Sequence, residues 1–125
     1  MHNYKELNVW KKSIDLTVEI YKITKSFTIE ERFGLISQMR RSAISVPSNV
    51  AEGAGRRSNK EFAHFLGIAH GSICELESQI YVSLHLEFID SIDFNRITEQ
   101  LTEIQKMLYA LIIKFGGMDR SNLMS

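Results

Sequence analysis

The chain has 125 residues and a formal net charge of zero, with 44% hydrophobic and 24% charged residues, which is the composition of a single globular domain. One proline and seven glycines are too few turn residues for a many-stranded sheet, and a lone cysteine, Cys74, excludes an intrachain disulfide framework and a multi-cysteine zinc site. No apolar run approaches the roughly 18 residues of a membrane span, so we expect a cytoplasmic, all-α domain over residues 1–125.

The first predicted helix runs from about Asn8 to Ser26 and is apolar around more than half of its circumference. One stripe contains Leu7, Trp10, Ile14, Thr17, Val18 and Tyr21. A second stripe contains Val9, Leu16, Ile20 and Ile23. The outer helix of a monomer buries one apolar face, so this pattern predicts that another subunit covers part of the helix.

The second predicted helix starts after Thr28, which has capping-box spacing to Glu31. Its apolar side consists of Leu35, Ile36, Met39, Ala43, Val46 and Val50, and its polar side of Ser37, Gln38, Arg41, Ser42, Ser45, Ser48, Asn49 and Glu52. Both patterns continue past Pro47, which favours one helix kinked at the proline, with the Ala43 carbonyl left without its amide partner. The alternative is a break at Val46, because proline inside a helix costs about 3 kcal/mol.

Basic residues are concentrated in the middle of the chain. Residues 25–60 carry seven Lys or Arg against three Glu, whereas residues 61–105 carry one Arg against eight acidic residues. This segregation favours docking between helices or subunits first, and an anion-binding surface second. Arg40 falls near the apolar arc of the second helix, so we expect it to be partly buried and paired with Glu75 or Glu77.

The third predicted helix begins at Ser58, which has capping-box spacing to Glu61. Its core face consists of Phe62, Phe65, Leu66, Ala69, Ile73, Leu76, Ile80 and Leu84. A separate stripe of small residues consists of Ala63, Gly67, Gly71, Cys74 and Ser78. Each glycine costs a helix about 1 kcal/mol relative to alanine, so the stripe predicts close approach of another backbone, either within the bundle or from another subunit.

The fourth predicted helix has the plainest pattern. Asp90 or Ser91 caps its start and the pair Gly116-Gly117 ends it, leaving residues 117–125 as a frayed tail. Its heptad seam consists of Phe94, Ile97, Leu101, Ile104, Leu108, Leu111 and Phe115. The connections between the predicted helices are short, which predicts an antiparallel up-and-down four-helix bundle.

We find no catalytic or metal-binding set of residues. His64, His70 and His85 lack the spacing of metal ligands, and Cys74 lies among packing residues, where we expect a buried, inert thiol. The glycines of "EGAG" follow a helix instead of a strand and lack the spacing of a Walker loop, which argues against a phosphate-binding loop. The sequence therefore predicts no enzyme activity, no cofactor and no small-molecule substrate.

Four stretches resemble a family of bacterial four-helix-bundle proteins that are encoded in intervening sequences of large-subunit (23S) ribosomal RNA genes. They are "LNVWKKSIDL", "EIYKIT", "ERFGLISQMRRSAISVPSNVAEGAGRRSNKEFAHFL" and "IAHGSICELESQI". The family is similar to the accessory variability determinant of diversity-generating retroelements, a pentamer of up-and-down bundles thought to bind nucleic acid and a reverse transcriptase. The resemblance implies a homopentamer that binds structured RNA or DNA and a protein partner.

The resemblance also implies which residues of this chain belong to the sequence signature of the family. The signature positions are Arg40, Arg41, Pro47, Asn49, Glu52, Gly53, Arg56 and Arg57 in the middle of the chain, and Gly71, Ser72 and Glu75 in the third helix. Two positions depart from the family pattern, since His70 stands where many relatives have Arg and Thr28 where many have Pro. The first departure removes a permanent positive charge, which weakens nucleic-acid binding.

Two functional hypotheses follow. In the first, a non-enzymatic oligomeric bundle scaffolds a nucleoprotein. Its expected contacts to phosphates are Arg40, Arg41, Arg56, Arg57 and Lys60. In the second, the bundle binds only proteins, including copies of itself. In either case we expect a head-to-tail ring in which neighbouring subunits cover the spare faces of the first and third helices.

Overall fold

The computed structural model describes residues 1–117, which form four helices joined by short turns. The helices are α1 (Asn8–Thr24), α2 (Ser37–Ala54), α3 (Asn59–His85) and α4 (Ser91–Gly116). No strand occurs in this part of the chain, so the all-helical prediction is confirmed. The tail predicted from residue 117 onwards lies, beyond Gly117 itself, outside the described residues.

The hydrophobic core lies between the four helices. α2 packs on α1 and α3, and α4 packs on α3 and α1. The largest fully buried side chains are Phe62, Leu16, Ile20, Met39, Leu66, Ile73, Leu76, Ile80, Ile97, Leu101, Ile104 and Leu108. They belong to the predicted apolar faces, and each such side chain stabilises the fold by roughly 1.5–3 kcal/mol on burial. None of the helices within residues 1–117 is both long and apolar enough to cross a membrane.

The ends of α3 and α4 are capped as the sequence predicts. The Ser58 hydroxyl accepts a hydrogen bond from the amide of Glu61 at 3.1 Å. The Asp90 carboxylate accepts one from the amide of Asp93 at 2.8 Å. Gly117 ends α4 in the left-handed conformation, with φ 67°. These three caps depend on local chemistry alone, which is why the sequence predicts them.

The chain between α1 and α2 differs from the prediction. α1 ends at Thr24, and a 3-10 turn (Ile29–Glu31) and a π turn (Arg32–Ile36) precede α2. Gly34 has the non-helical angles φ −106° and ψ −107°, so a regular helix does not extend back to Thr28. The expected capping bond of Thr28 is therefore wrong, since its side chain makes none.

Pro47 lies inside α2, which continues past it without a break at Val46. The Ala43 carbonyl, which loses its amide partner to the proline, lies 3.2 Å from the Thr17 hydroxyl of α1. The same hydroxyl lies 2.7 Å from the carbonyl of Ser13, so its single proton is shared between two acceptors. α1 therefore supplies the donor that Pro47 removes from α2.

α2 and α3 approach each other closely at Gly53, near the end of α2. A Cβ atom at this position would lie 2.7 Å from the Cβ of Phe65 and 3.0 Å from a ring carbon of Phe62, both on α3. A Cβ at Gly67 or Gly71 would meet no atom within 4 Å. Of the two alternatives for the small-residue stripe, packing within the bundle is therefore wrong, because Gly67 and Gly71 face outwards within the described chain.

The two sides of α2 are not divided as simply as the periodicity predicts. Ser42, placed by its periodicity on the polar side of α2, is buried, and its hydroxyl has no hydrogen-bond partner among the described residues. Ile44, two positions on, is exposed. α2 is thus packed on two sides, by α1 and by α3, and a single apolar arc does not describe its contacts.

Candidate nucleic-acid interface

The five basic residues expected to contact phosphates fall into two groups at opposite ends of α2. Arg40 and Arg41 lie in its first turns. Arg56, Arg57 and Lys60 lie at the connection between α2 and α3. At 1.5 Å per helical residue the two groups are roughly 20 Å apart, so the structure does not bring the five side chains into one patch.

The group at the α2–α3 connection is partly neutralised. A guanidinium nitrogen of Arg56 forms an ion pair with the carboxylate of Glu52, one helical turn earlier. The Arg56 guanidinium also lies 4.8 Å from the centroid of the Phe65 ring. Arg57 and Lys60 are exposed and have no carboxylate within 4 Å among residues 1–117. This end of α2 offers two isolated positive charges to an anion.

Arg40 lies at the carboxyl end of α1 and is partly buried. Its Nε donates to the Thr24 hydroxyl at 2.9 Å and its Nη2 to the Tyr21 carbonyl at 3.3 Å. Its guanidinium lies 4.6 Å from the centroid of the Tyr21 ring. The expected ion pair with Glu75 or Glu77 is wrong, because the guanidinium instead contacts the Tyr21 carbonyl and the Thr24 hydroxyl in the last turn of α1, the end of the helix that attracts cations.

Around Arg40 the structure forms an open cleft of about 450 Å³, which we call the α1–α2 cleft. It is lined by Tyr21, Arg32, Phe33, Ile36, Ser37, Arg40, Arg41 and Ile44. None of its three arginines has a carboxylate within 4 Å among the residues that the structure describes. The cleft therefore combines three uncompensated positive charges with aromatic and aliphatic surface.

Phe33 is the most exposed aromatic side chain of the cleft. It is 87% exposed, and the guanidinium of Arg32 lies 5.9 Å from its ring centroid. Sequence reasoning missed both residues because it placed them inside a regular helix, where they had no special role. The available signal was the pair Arg32-Phe33 directly before Gly34, a residue that permits an irregular turn.

The larger depression on α4 has different chemistry. It measures about 630 Å³ and is lined by Asn95, Thr98, Glu99, Thr102, Glu103 and Lys106. Two carboxylates face it, and the ammonium group of Lys12 lies 2.9 Å from one of them, on Glu103. The ammonium groups of Lys106 and Lys12 balance these two carboxylates, so the depression offers a polyanion no net positive charge, and the α1–α2 cleft is the better candidate for nucleic acid.

Comparison with known proteins identifies the family of the chain. The profile of the 23S rRNA-intervening sequence proteins matches residues 5–110. The chain belongs to this family. A crystal structure of a protein of unknown function, from the S23 ribosomal protein family of Bacteroides thetaiotaomicron VPI-5482, is similar, with a TM-score of 0.75 and 28% identity over 83% of this chain and 97% of that chain. No curated protein matches the chain.

In this member of the 23S rRNA-intervening sequence protein family, three of the positions that the resemblance singles out, Asn49, Gly53 and Ser72, lie where α2 meets α3. The Asn49 amide donates to the carbonyl of Ser45 at 2.8 Å and to its hydroxyl at 3.0 Å. The Ser45 hydroxyl in turn lies 2.8 Å from the hydroxyl of Ser72. Together with the close contact at Gly53, these bonds give Asn49 and Ser72 a structural role. Gly71 and Glu75 lie on the exposed side of α3.

Cys74 is exposed, so the expectation of a buried thiol is wrong. Partial desolvation, and secondly the negative charge of Glu77, raise the pKa of Cys74. A raised pKa keeps the thiol protonated near neutral pH, where it is a poor nucleophile. The Cys74 sulfur lies 3.8 Å from Nδ1 of His70. Within residues 1–117 no group of three or more His, Cys, Asp or Glu side chains is arranged to hold a metal ion.

Proposed function

We propose that this 23S rRNA-intervening sequence protein is a cytoplasmic, non-enzymatic helical bundle that assembles into a ring and binds structured RNA or DNA. The observation that carries the nucleic-acid part is the cluster of three arginines in the α1–α2 cleft without a neighbouring carboxylate among the described residues. The planar guanidinium group of arginine can donate two parallel hydrogen bonds to phosphate oxygens, and the release of counterions from the nucleic acid drives such binding. Arg57 and Lys60 would add weaker contacts at the other end of α2.

The proposed bundle is antiparallel and bends at Pro47. Contacts between ring centroids support the helix directions. His2, before α1, lies 4.8 Å from Phe62 in the first turn of α3 and 4.9 Å from Phe115 at the end of α4. Phe27, after α1, lies 5.2 Å from Phe88, after α3. The start of α1 thus meets the start of α3 and the end of α4, as in an up-and-down bundle.

The proposed ring would cover two surfaces that one chain leaves open. On α1, Ile14 and Val18 remain exposed, Val18 by 47%. On α3, the positions of Gly67 and Gly71 face open space. A head-to-tail contact places one surface of each subunit on a different surface of the next, and it closes into a ring when the rotation permits. The family resemblance suggests five subunits.

Nucleic-acid binding can be tested by fluorescence anisotropy with a structured RNA at low and high salt. We expect the logarithm of the binding constant to fall linearly with the logarithm of salt concentration. Replacing both Arg32 and Arg41 by Gln should weaken binding and reduce the slope by about two, one for each lost phosphate contact. The matched control is Lys11→Gln, because Lys11 is exposed on α1 and does not line the cleft. Absence of binding near 50 mM salt would remove this function.

A role in protein binding alone is the second candidate. The exposed apolar residues of α1 and the open small-residue stripe of α3 favour it, because both suit protein surfaces better than phosphates. This candidate predicts that the protein forms a stable oligomer and captures a protein encoded nearby. It also predicts that the protein does not bind RNA. The anisotropy experiment separates the two candidates, because both predict an oligomer and only the first predicts binding of RNA.

A further inference from the structure

We propose that the α1–α2 cleft binds unpaired nucleotides, with a base stacked on Phe33 and the neighbouring phosphates held by Arg40 and Arg41. This inference rests on the proposed nucleic-acid binding and specifies the form of the ligand. It assigns to Phe33 a role that a general basic surface would not require. The ligand class is single-stranded RNA or DNA, whose bases present free faces.

The position of Phe33 supports a stacking role. The side chain is 87% exposed in the irregular turn before α2, outside the hydrophobic core. The Arg32 guanidinium, 5.9 Å from the ring centroid, flanks the ring, and most of the aromatic surface stays open. An open aromatic ring beside cations is the arrangement that proteins use to stack bases while holding the backbone.

Arg40 is fixed in place before any ligand arrives. Its bonds to Thr24 and Tyr21 and its position over the Tyr21 ring use one edge and one face of the guanidinium. Both partners are neutral, so the positive charge remains available to an anion. Arg41, the next residue, is exposed and has no charged partner among residues 1–117. A phosphate in the cleft would thus meet one pre-oriented cation and one exposed cation without a charged partner among the described residues.

The cleft discriminates between single strands and duplexes by geometry. In a duplex, bases stack on each other, and only terminal base pairs expose a face to an aromatic side chain. An apolar protein surface would cover Phe33, but it would also remove water from the unpaired guanidinium groups of Arg32 and Arg41 without replacing their hydrogen bonds. An unpaired nucleotide offers both an aromatic face and a negative charge, so it matches both features of the cleft.

The test compares labelled single strands of about 12 nucleotides, one RNA and one DNA of the same sequence, with the blunt RNA duplex. We expect Phe33→Ala to weaken single-strand binding by about 5- to 150-fold and to leave duplex binding unchanged. Phe33→Tyr should retain tight binding, because it retains the ring. The matched control is Ile29→Ala, since Ile29 is 76% exposed in the same connection but does not line the cleft. Circular dichroism checks that each variant is folded.

The outcomes separate this inference from the function on which it rests. If Phe33→Ala binds single strands like the wild type while the Arg32 and Arg41 variant loses affinity, the stacking role is wrong and the proposed function stands. If the wild type binds no nucleic acid, both are wrong. If Phe33→Ala lowers the mass of the assembly, Phe33 belongs to a subunit contact and the inference is overturned. Tighter binding of either strand than of the duplex supports it, and comparing the strands identifies the sugar.

Discussion

Gly53 is the residue at which a single added methyl group has the clearest consequence. Its Cβ would lie 2.7 Å from the Cβ of Phe65, an atom that cannot move without shifting the α3 backbone. We expect Gly53→Ala to lower the free energy of unfolding by about 1–3 kcal/mol, the usual effect of overpacking. Gly55→Ala is the control, because its nearest neighbour would be 3.7 Å away. Equal midpoints of urea denaturation for the two variants would contradict this account.

Thr17 and Pro47 should be energetically coupled. Thr17→Val removes the hydroxyl that serves the Ala43 carbonyl, and we expect a loss of about 1–3 kcal/mol in unfolding free energy. In a Pro47→Ala background the restored amide can donate to Ala43, so the same substitution should cost less. Urea denaturation of the wild type, both single variants and the double variant measures the coupling. Additive effects on the free energy of unfolding would show that the contribution of Thr17 does not depend on the proline.

Cys74 should react slowly despite its exposure. Desolvation, followed by the charge of Glu77, raises the pKa of the thiol, and only the thiolate reacts with iodoacetamide. The rate of alkylation should therefore reach half of its maximum at a higher pH than that of glutathione. Glu77→Gln should shift this midpoint to lower pH, because it removes one of the two causes. A midpoint equal to that of glutathione would show that the environment does not perturb the thiol.

At the scale of the elements, substitutions at Gly67 of α3 should have different effects in an isolated chain and in an assembly. A side chain at Gly67 meets no atom within 4 Å, so Gly67→Ala should raise the stability of α3 by about 1 kcal/mol in an isolated chain. If another subunit covers the stripe, Gly67→Leu should break the assembly and leave the helix content unchanged. Light scattering and circular dichroism measure the two effects. An unchanged mass for Gly67→Leu would place the subunit contact elsewhere.

At the scale of the whole molecule, a head-to-tail ring makes a specific prediction for mixed variants. Val18→Lys should disrupt the contact surface on α1, and Gly67→Leu should disrupt the contact surface on α3. Each variant alone should therefore be a monomer of 14.4 kDa. Because each retains the surface that the other lacks, their mixture should form dimers and no ring. Lys11→Ala, on the exposed side of α1, is the control and should keep the assembly of the wild type. Light scattering of an equimolar mixture reads the result.

A mixture that stays monomeric would show that these two surfaces do not meet each other. A wild type that is itself a monomer at micromolar concentration would remove the ring altogether. The second result would leave the α1–α2 cleft intact as a candidate interface, because every residue that lines it belongs to one chain.

The sequence by itself determined the four helices, their core faces and the caps at Ser58 and Asp90. Helical periodicity and capping act over three or four residues, so they can be read without knowing where the helices lie relative to each other. The family signature was readable for the same reason, as residues in fixed order. The start of α2 escaped prediction because the capping-box pattern at Thr28 gave no indication of the irregular conformation at Gly34.

Only the tertiary structure decided which residues meet across helices. Gly53, and not Gly67, is the point of close approach, because it faces α3 at the end of α2. Arg40 pairs with the carboxyl end of α1 because α1 packs beside the start of α2, a neighbour that the periodicity of α2 does not specify. The cleft around Phe33 likewise depends on an irregular turn placed beside another helix. Such contacts join residues that are distant in sequence, so local sequence patterns cannot predict them.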